Sequence, residues 1–92
     1  MELKNHVDEN IIKRLSRIEG QIRGIKEMGI SGRTCSEILT QFSAVQSAIT
    51  QVSKLIMLDH IEHCVVEGIK VGDIDGTLED LTKIIDQFSK MK

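Results

Sequence analysis

The longest stretch of this chain without glycine or proline runs from Arg33 to Glu67. Apolar residues recur through it at intervals of three and four: Ile38, Leu39, Phe42, Val45, Ile49, Val52, Ile56 and Ile61. That spacing predicts one helix from about Thr34 to Glu67. At 1.5 Å per residue such a helix is ~50 Å long, more than a domain this small is wide. Neither flanking segment is long enough to cover it. The remaining apolar length calls for a second subunit.

The first segment has the same period, in Ile11, Leu15, Ile18, Ile22 and Ile25. Asp8 is placed to cap it, and Glu9 to meet the positive end of the helix dipole. Gly20 and Gly24 sit inside this helix, where they cost stability and permit close approach of another backbone. The segment stops near Gly29-Ile30-Ser31-Gly32, a turn signal. Gly68 to Gly76 reads as an irregular, acidic connector. Thr77 then reads as the cap of a short third helix with Leu78, Leu81, Ile84, Ile85 and Phe88, and Glu79, Asp80 and Asp86 on or near its N-terminal half. Strands want aromatic and β-branched residues in alternation, and tyrosine and tryptophan are absent. The expected fold class is all-α, a three-helix protomer with a long central helix, in one domain spanning residues 1–92.

No run of ~18 apolar residues suits a transmembrane helix. The start, Met1-Glu2-Leu3-Lys4-Asn5, lacks the apolar stretch of a signal peptide. The expected compartment is the cytoplasm, where thiols stay reduced. The net charge of −2 is unlike a nucleic-acid binder, but it is unevenly spread. Residues 1–33 hold seven Lys/Arg against five Asp/Glu, whereas residues 34–92 hold five against nine. A basic first segment on an acidic body can form a DNA-binding stripe. The plainer alternative is a solvated helix face.

Both cysteines of the chain belong to one constellation, Cys35 with His60 and Cys64. Positions i and i+4 share a helix face, so His60 and Cys64 present an imidazole and a thiolate together. These are half of a soft-metal site. Cys35 lies 25 residues before His60, ~37 Å along an unbroken helix. Metal–ligand bonds of ~2.0–2.3 Å cannot span that distance. Either the helix breaks or Cys35 comes from another chain. An antiparallel pair of long helices meets the second condition, with its two-fold axis near Ser47, Ala48, Ile49 and Thr50. Three of those four side chains are small or short and suit a close crossing. Two thiolates and one imidazole favour three-coordinate Cu(I). Zn(II) wants a fourth ligand and is the runner-up, with His63 the nearest donor although it sits about 100° around the helix from Cys64. The alternative without metal makes the cysteines small buried hydrophobes.

At this point the chain resembles the copper-sensitive operon repressor family (CsoR/RcnR type). The resemblance rests on Arg14-Leu15-Ser16-Arg17-Ile18-Glu19-Gly20-Gln21-Ile22-Arg23-Gly24, on Cys35 with Ile38-Leu39-Thr40-Gln41-Phe42-Ser43-Ala44-Val45-Gln46, and on Asp59-His60 to Cys64. It covers nearly the whole chain. It implies an all-α antiparallel dimer that pairs into a homotetramer and no enzymatic activity. Such a protein binds operator DNA when ligand-free and lets go when its effector binds. Cys35, His60 and Cys64, with Leu3 at the N-terminal position, look like the Cu(I) sensors, whose release of DNA turns on copper export and homeostasis genes. A copper chaperone is then the expected donor. Nickel and cobalt sensors typically carry an N-terminal His, and His6 keeps nickel open. Persulfide sensors lack the His, and formaldehyde sensors lack the second cysteine.

Around the ligands, the resemblance places Thr34 where copper sensors often carry a tyrosine. Asp80 keeps the acidic partner of that tyrosine, and Gln51 stands where a basic residue is common. DNA affinity is expected from phosphate contacts by Lys13, Arg14, Arg17, Arg23 and Lys54. Shape readout is expected, because nothing resembles a helix-turn-helix. Two other readings are a thiol-based sensor, in which Cys35 and Cys64 of facing subunits are bridged, and a metal carrier that does not bind DNA.

Overall fold

Asp8 opens the first helix as its sequence predicts. Its carboxylate accepts a hydrogen bond from the Ile11 N–H at 2.9 Å, satisfying a donor that has no partner within the helix. The computed structural model describes residues 7–91, so the expectations for Leu3 and His6 lie outside the described residues. Three helices follow in order: α1 (Glu9–Ile30), α2 (Cys35–Val71) and α3 (Ile74–Ser89). The all-α expectation holds, and no strand occurs among the described residues. The chain divides into two compact units, Val7–Val52 and Ser53 onward, and α2 contributes to each.

In the first unit, α1 and the first half of α2 form a helical hairpin. Its buried apolar side chains are Ile11, Ile18 and Ile25 from α1, and Val45 and Val52 from α2. Successive members are seven residues apart, the signature of a narrow coiled-coil-like seam. Burying each is worth about 1.5–3 kcal/mol relative to exposure. Leu15 and Ile22, expected on the same face, remain 42% and 51% exposed. A seam of period seven takes only every second apolar position of α1. Leu15 and Ile22 instead line a shallow cleft with Ile12. Between the isoleucines stand Arg14 and Gln21, both half-buried. Arg14 Nε and Gln21 Oε1 are buried with no hydrogen-bond partner among the described residues.

In the second unit, the rest of α2 packs against α3. Here the structure corrects two expectations. The long helix does not stop at Glu67 but runs through Gly68 to Val71, so the irregular connector from Gly68 to Gly76 is not formed. It stops at Gly72, whose φ of +73° is one that L side chains rarely adopt. Thr77 is not the N-cap of α3. Asp73 is, accepting from the Gly76 N–H at 2.9 Å, and the helix begins at Ile74. Thr77 lies in the first turn, and its hydroxyl donates to the Asp73 carbonyl at 2.6 Å.

Gly68 is needed for another reason. A Cβ there would overlap Thr77 Oγ1 and lie 3.0 Å from both Thr77 Cβ and Cγ2. Turning the threonine exchanges one clash for another, so the helices themselves must separate. Gly68→Ala should therefore destabilise the protein by about 1–3 kcal/mol, the usual cost of overpacking. Urea denaturation at fixed protein concentration reads this, and removing the obstruction with Thr77→Ala should restore part of the loss.

Candidate metal centre and DNA-binding face

The face of α2 in the second unit gathers most of the candidate donors. His60 and Cys64 line one cleft of about 410 Å³ together with His63, Glu67 and Asp80. The sequence-predicted His60, Cys64, His63 and Asp80 are thus brought to one place. Cys64 is a half-buried free thiol. His63 Nδ1 donates to the Asp59 carbonyl at 2.9 Å, because a carbonyl oxygen can only accept. In the neutral ring, that leaves Nε2 as the acceptor nitrogen. The Asp59 carboxylate lies 3.6 Å from the same Nδ1.

Cys35 belongs to the other unit, as an exposed free thiol and the first residue of α2. The helix carrying it is continuous from Cys35 to Val71, so the break that would have freed Cys35 to fold back does not occur. Among the described residues, no three His, Cys, Asp or Glu side chains gather closely enough to hold an ion.

Thr34 and Glu37 hold the turn of helix on which Cys35 sits. The Glu37 N–H donates to Thr34 Oγ1 at 3.2 Å. In return, the Thr34 N–H and hydroxyl both donate to Glu37 Oε1, at 3.1 Å and 2.9 Å. This is a capping box, two orphan donors satisfied reciprocally. The motif Thr34-x-x-Glu37 was visible in the sequence and went unused there. Arg33 completes the cluster through a 2.5 Å hydrogen bond from Nη2 to Glu37 Oε2. The Arg33 hydrogen bond, and then those from Thr34, hold the Glu37 carboxyl down to about 2 from an ordinary 4.5. The pairing correspondingly raises the Arg33 guanidinium above its ordinary value.

A carboxyl depressed in the folded state adds stability above its unfolded pKa and loses it as pH falls through the folded value. Both side chains are exposed and solvent-screened, so the effect on stability is small. The titration itself is the sharper readout. The Glu37 side-chain carbon signal in NMR should titrate well below the ordinary carboxylate range, and Thr34→Ala should move it upward.

The expected DNA contacts divide between the units. Lys13, Arg14, Arg17 and Arg23 stand on α1, and Lys54 on the second unit's part of α2. Lys13 and Arg17 are four residues apart on an exposed stripe that continues through Gly20 and Gly24. A Cβ on either glycine would meet nothing within 4 Å. Lys13 makes a loose, exposed ion pair with Glu9 at 3.7 Å. Arg14 differs from its neighbours in lying along the hairpin seam, half-buried. Lys54 is exposed. Among the described residues, no helix is long and apolar enough to cross a membrane.

Known proteins resemble this chain along almost its whole length. The model of a family described as metal-sensitive transcriptional repressors matches residues 7–89. The copper-sensing transcriptional repressor CsoR of Bacillus subtilis is 43% identical over 82 residues, which span 89% of this chain and 81% of that protein. The copper-sensing transcriptional repressor RicR of Mycobacterium tuberculosis is 39% identical over 79 residues, 84% of this chain and 82% of that one. Among solved structures, the nickel-responsive transcriptional regulator InrS superposes with a TM-score of 0.84 at 36% identity, covering 96% of this chain and 99% of its own. The copper-sensing repressor CsoR with Cu(I) from Geobacillus thermodenitrificans superposes at 0.79 with 42% identity, covering 97% and 92%. Copper and nickel regulators therefore share this fold, so the fold alone does not choose the ion. With two thiols and an imidazole on α2 and a basic stripe on α1, the chain belongs to the metal-sensitive transcriptional repressor family, whose members regulate genes rather than catalyse reactions.

Proposed function

We propose that this chain is a Cu(I)-responsive repressor that holds operator DNA when ligand-free and releases it when Cu(I) binds. The ligands are Cys35 of one subunit with His60 and Cys64 of a second copy. The observation that carries this reading is the placement of His60 and Cys64 on one cleft while Cys35 stands at the far end of the same unbroken helix. Two thiolates and an imidazole suit Cu(I) better than nickel or zinc. An antiparallel pairing of α2 with its symmetry mate brings these donors together twice per dimer, with the axis near Ser47–Thr50. Exposed Leu39, Phe42, Ile49, Leu58 and Val66 on α2 supply apolar surface for that pairing and for a dimer of dimers.

In this reading residues 1–92 act as one metal-sensing, DNA-binding domain in the cytoplasm, where a chromosome-bound repressor works. A copper chaperone is the donor. Arg14, Arg17, Arg23, Lys13 and Lys54 neutralise phosphates, and the tetramer repeats that patch so that weak contacts add. Bound Cu(I) ties the α2 helices of two subunits together. Cys35 and Cys64 are thereby held in one relative position, and the basic patches lose the spacing that DNA requires. Metal and DNA must prefer different states, with a coupling of about 1–3 kcal/mol or more. The test is an anaerobic titration in which the metal–sulfur absorption and binding to a fluorescent promoter fragment are read in one sample. Equal DNA affinity with and without one Cu(I) per subunit would refute the proposal.

One observation favours a second reading, a sulfur-responsive repressor: neither thiol is buried. His60→Ala separates the two. It should abolish a copper response and largely spare a sulfur response.

A further inference from the structure

His60 lines two clefts of the second unit. One holds Cys64; the other, of about 310 Å³, is lined by Met57, Met91 and apolar residues of α3 that include Ile84 and Phe88. Met57, His60 and Cys64 follow one another at intervals of three and four, which places a thioether, an imidazole and a thiol in a ladder along one face of α2. Met91, beyond the end of α3 and largely exposed, lines the same cleft as the first rung. Two of the chain's four methionines therefore line one cleft with the ring proposed above as a metal ligand.

We propose that Met57, Met91 and His60 form a second, weaker site for a soft monovalent cation within one protomer, from which Cu(I) passes to Cys64. Thioethers bind Cu(I) but hold zinc and nickel poorly, so such a port selects by softness before the thiolates are reached. Thioethers carry no proton to displace and no charge, so they hold the cation less tightly than the thiolates do. Transfer along the ladder is therefore downhill. It changes no oxidation state: a thioether leaves the cation as a thiolate joins, and the Cys64 thiol gives its proton to water.

That the cargo is Cu(I) rests on the function proposed above; that the site binds soft cations does not. The test uses Ag(I), a redox-inert probe, on the full chain carrying Cys35→Ser and Cys64→Ser, with methionine methyls labelled for NMR and the helical fold checked by circular dichroism. Met57 and Met91 signals should shift together up to about one Ag(I) per chain, Met28 should stay put, and Zn(II) should move none of them. Met57→Leu, which keeps the side-chain volume, should abolish the shifts. In the chain with both cysteines, Met57→Leu should slow Cu(I) capture from a chelator severalfold while leaving final affinity unchanged. Methionine signals that ignore Ag(I), or that move no more than Met28, overturn the port and leave the repressor reading intact. Shifts at Met57 and Met91 in a protein whose DNA binding ignores Cu(I) support the site and overturn the repressor reading.

Discussion

Cys64→Ser should leave the ligand-free protein on its operator and make it unresponsive to copper. The serine hydroxyl is nearly isosteric, but at neutral pH it supplies neither charge nor a soft donor. Losing a ligand should cost Cu(I) affinity more than the ~10–100-fold that loss of a ligand's supporting partner typically costs. Ligand-free DNA affinity should stay within about twofold, the ~0.5 kcal/mol usual for substitutions away from a contact. Fluorescence anisotropy with and without Cu(I) reads both quantities. Cys35→Ser should behave in the same way although it lies in the other compact unit. Mixing the two variants sharpens the test. In a heterodimer of Cys35→Ser and Cys64→Ser chains, one of the two shared sites loses both thiols and the other keeps both. Recovery of one Cu(I) per mixed dimer is expected, and a site confined to a single chain would give no recovery.

Arg17→Ala should produce the largest loss on the DNA side. Arg17 is exposed, neighbours Lys13 on the same stripe, and sits beside glycines that leave its surroundings open. Each phosphate contact removed should lower the slope of log affinity against log salt by about 1. Because subunits repeat the contact, a slope change of about 2–4 is expected when two to four copies touch one operator. Cu(I) affinity of the free protein should not move. An unchanged salt slope would remove Arg17 from the interface. Arg14→Ala should behave differently, because its Nε is already buried along the hairpin seam and truncation there also changes packing.

The elements that were legible in the sequence are those fixed by local chemistry. Asp8 announced α1, and its carboxylate does bond the Ile11 N–H. The stretch after Arg33 with no glycine or proline announced α2. The α2–α3 junction was misread because Gly68, Gly72 and Gly76 look alike in sequence and do different work. Gly68 gives room to Thr77 inside a helix, Gly72 ends that helix with a positive φ, and Gly76 supplies the N–H that Asp73 caps. Only packing distinguishes the first from the second. Likewise, periodicity named five apolar residues on α1, but which of them face the seam depends on the partner helix. The inter-subunit arrangement proposed for Cys35, His60 and Cys64 follows from their spacing, since 25 residues on one helix cannot close on one ion. The box that fixes Cys35 was legible too, in Thr34 and Glu37, as the signature of a helix start.

The hairpin seam carries one more consequence. Isoleucines repeated every seven residues along α1 are interchangeable, so a slide by one heptad would set Ile18 where Ile11 belongs at little loss of apolar contact. The side chains three positions after each are not interchangeable: Arg14, Gln21 and Met28 differ in charge, length and polarity. Their unequal demands for water distinguish the correct alignment from the shifted one, as a single polar residue does in a coiled coil, at some expense in stability. Arg14 Nε and Gln21 Oε1, buried without a hydrogen-bond partner among the described residues, are what such a trade of tightness for register would leave in the seam.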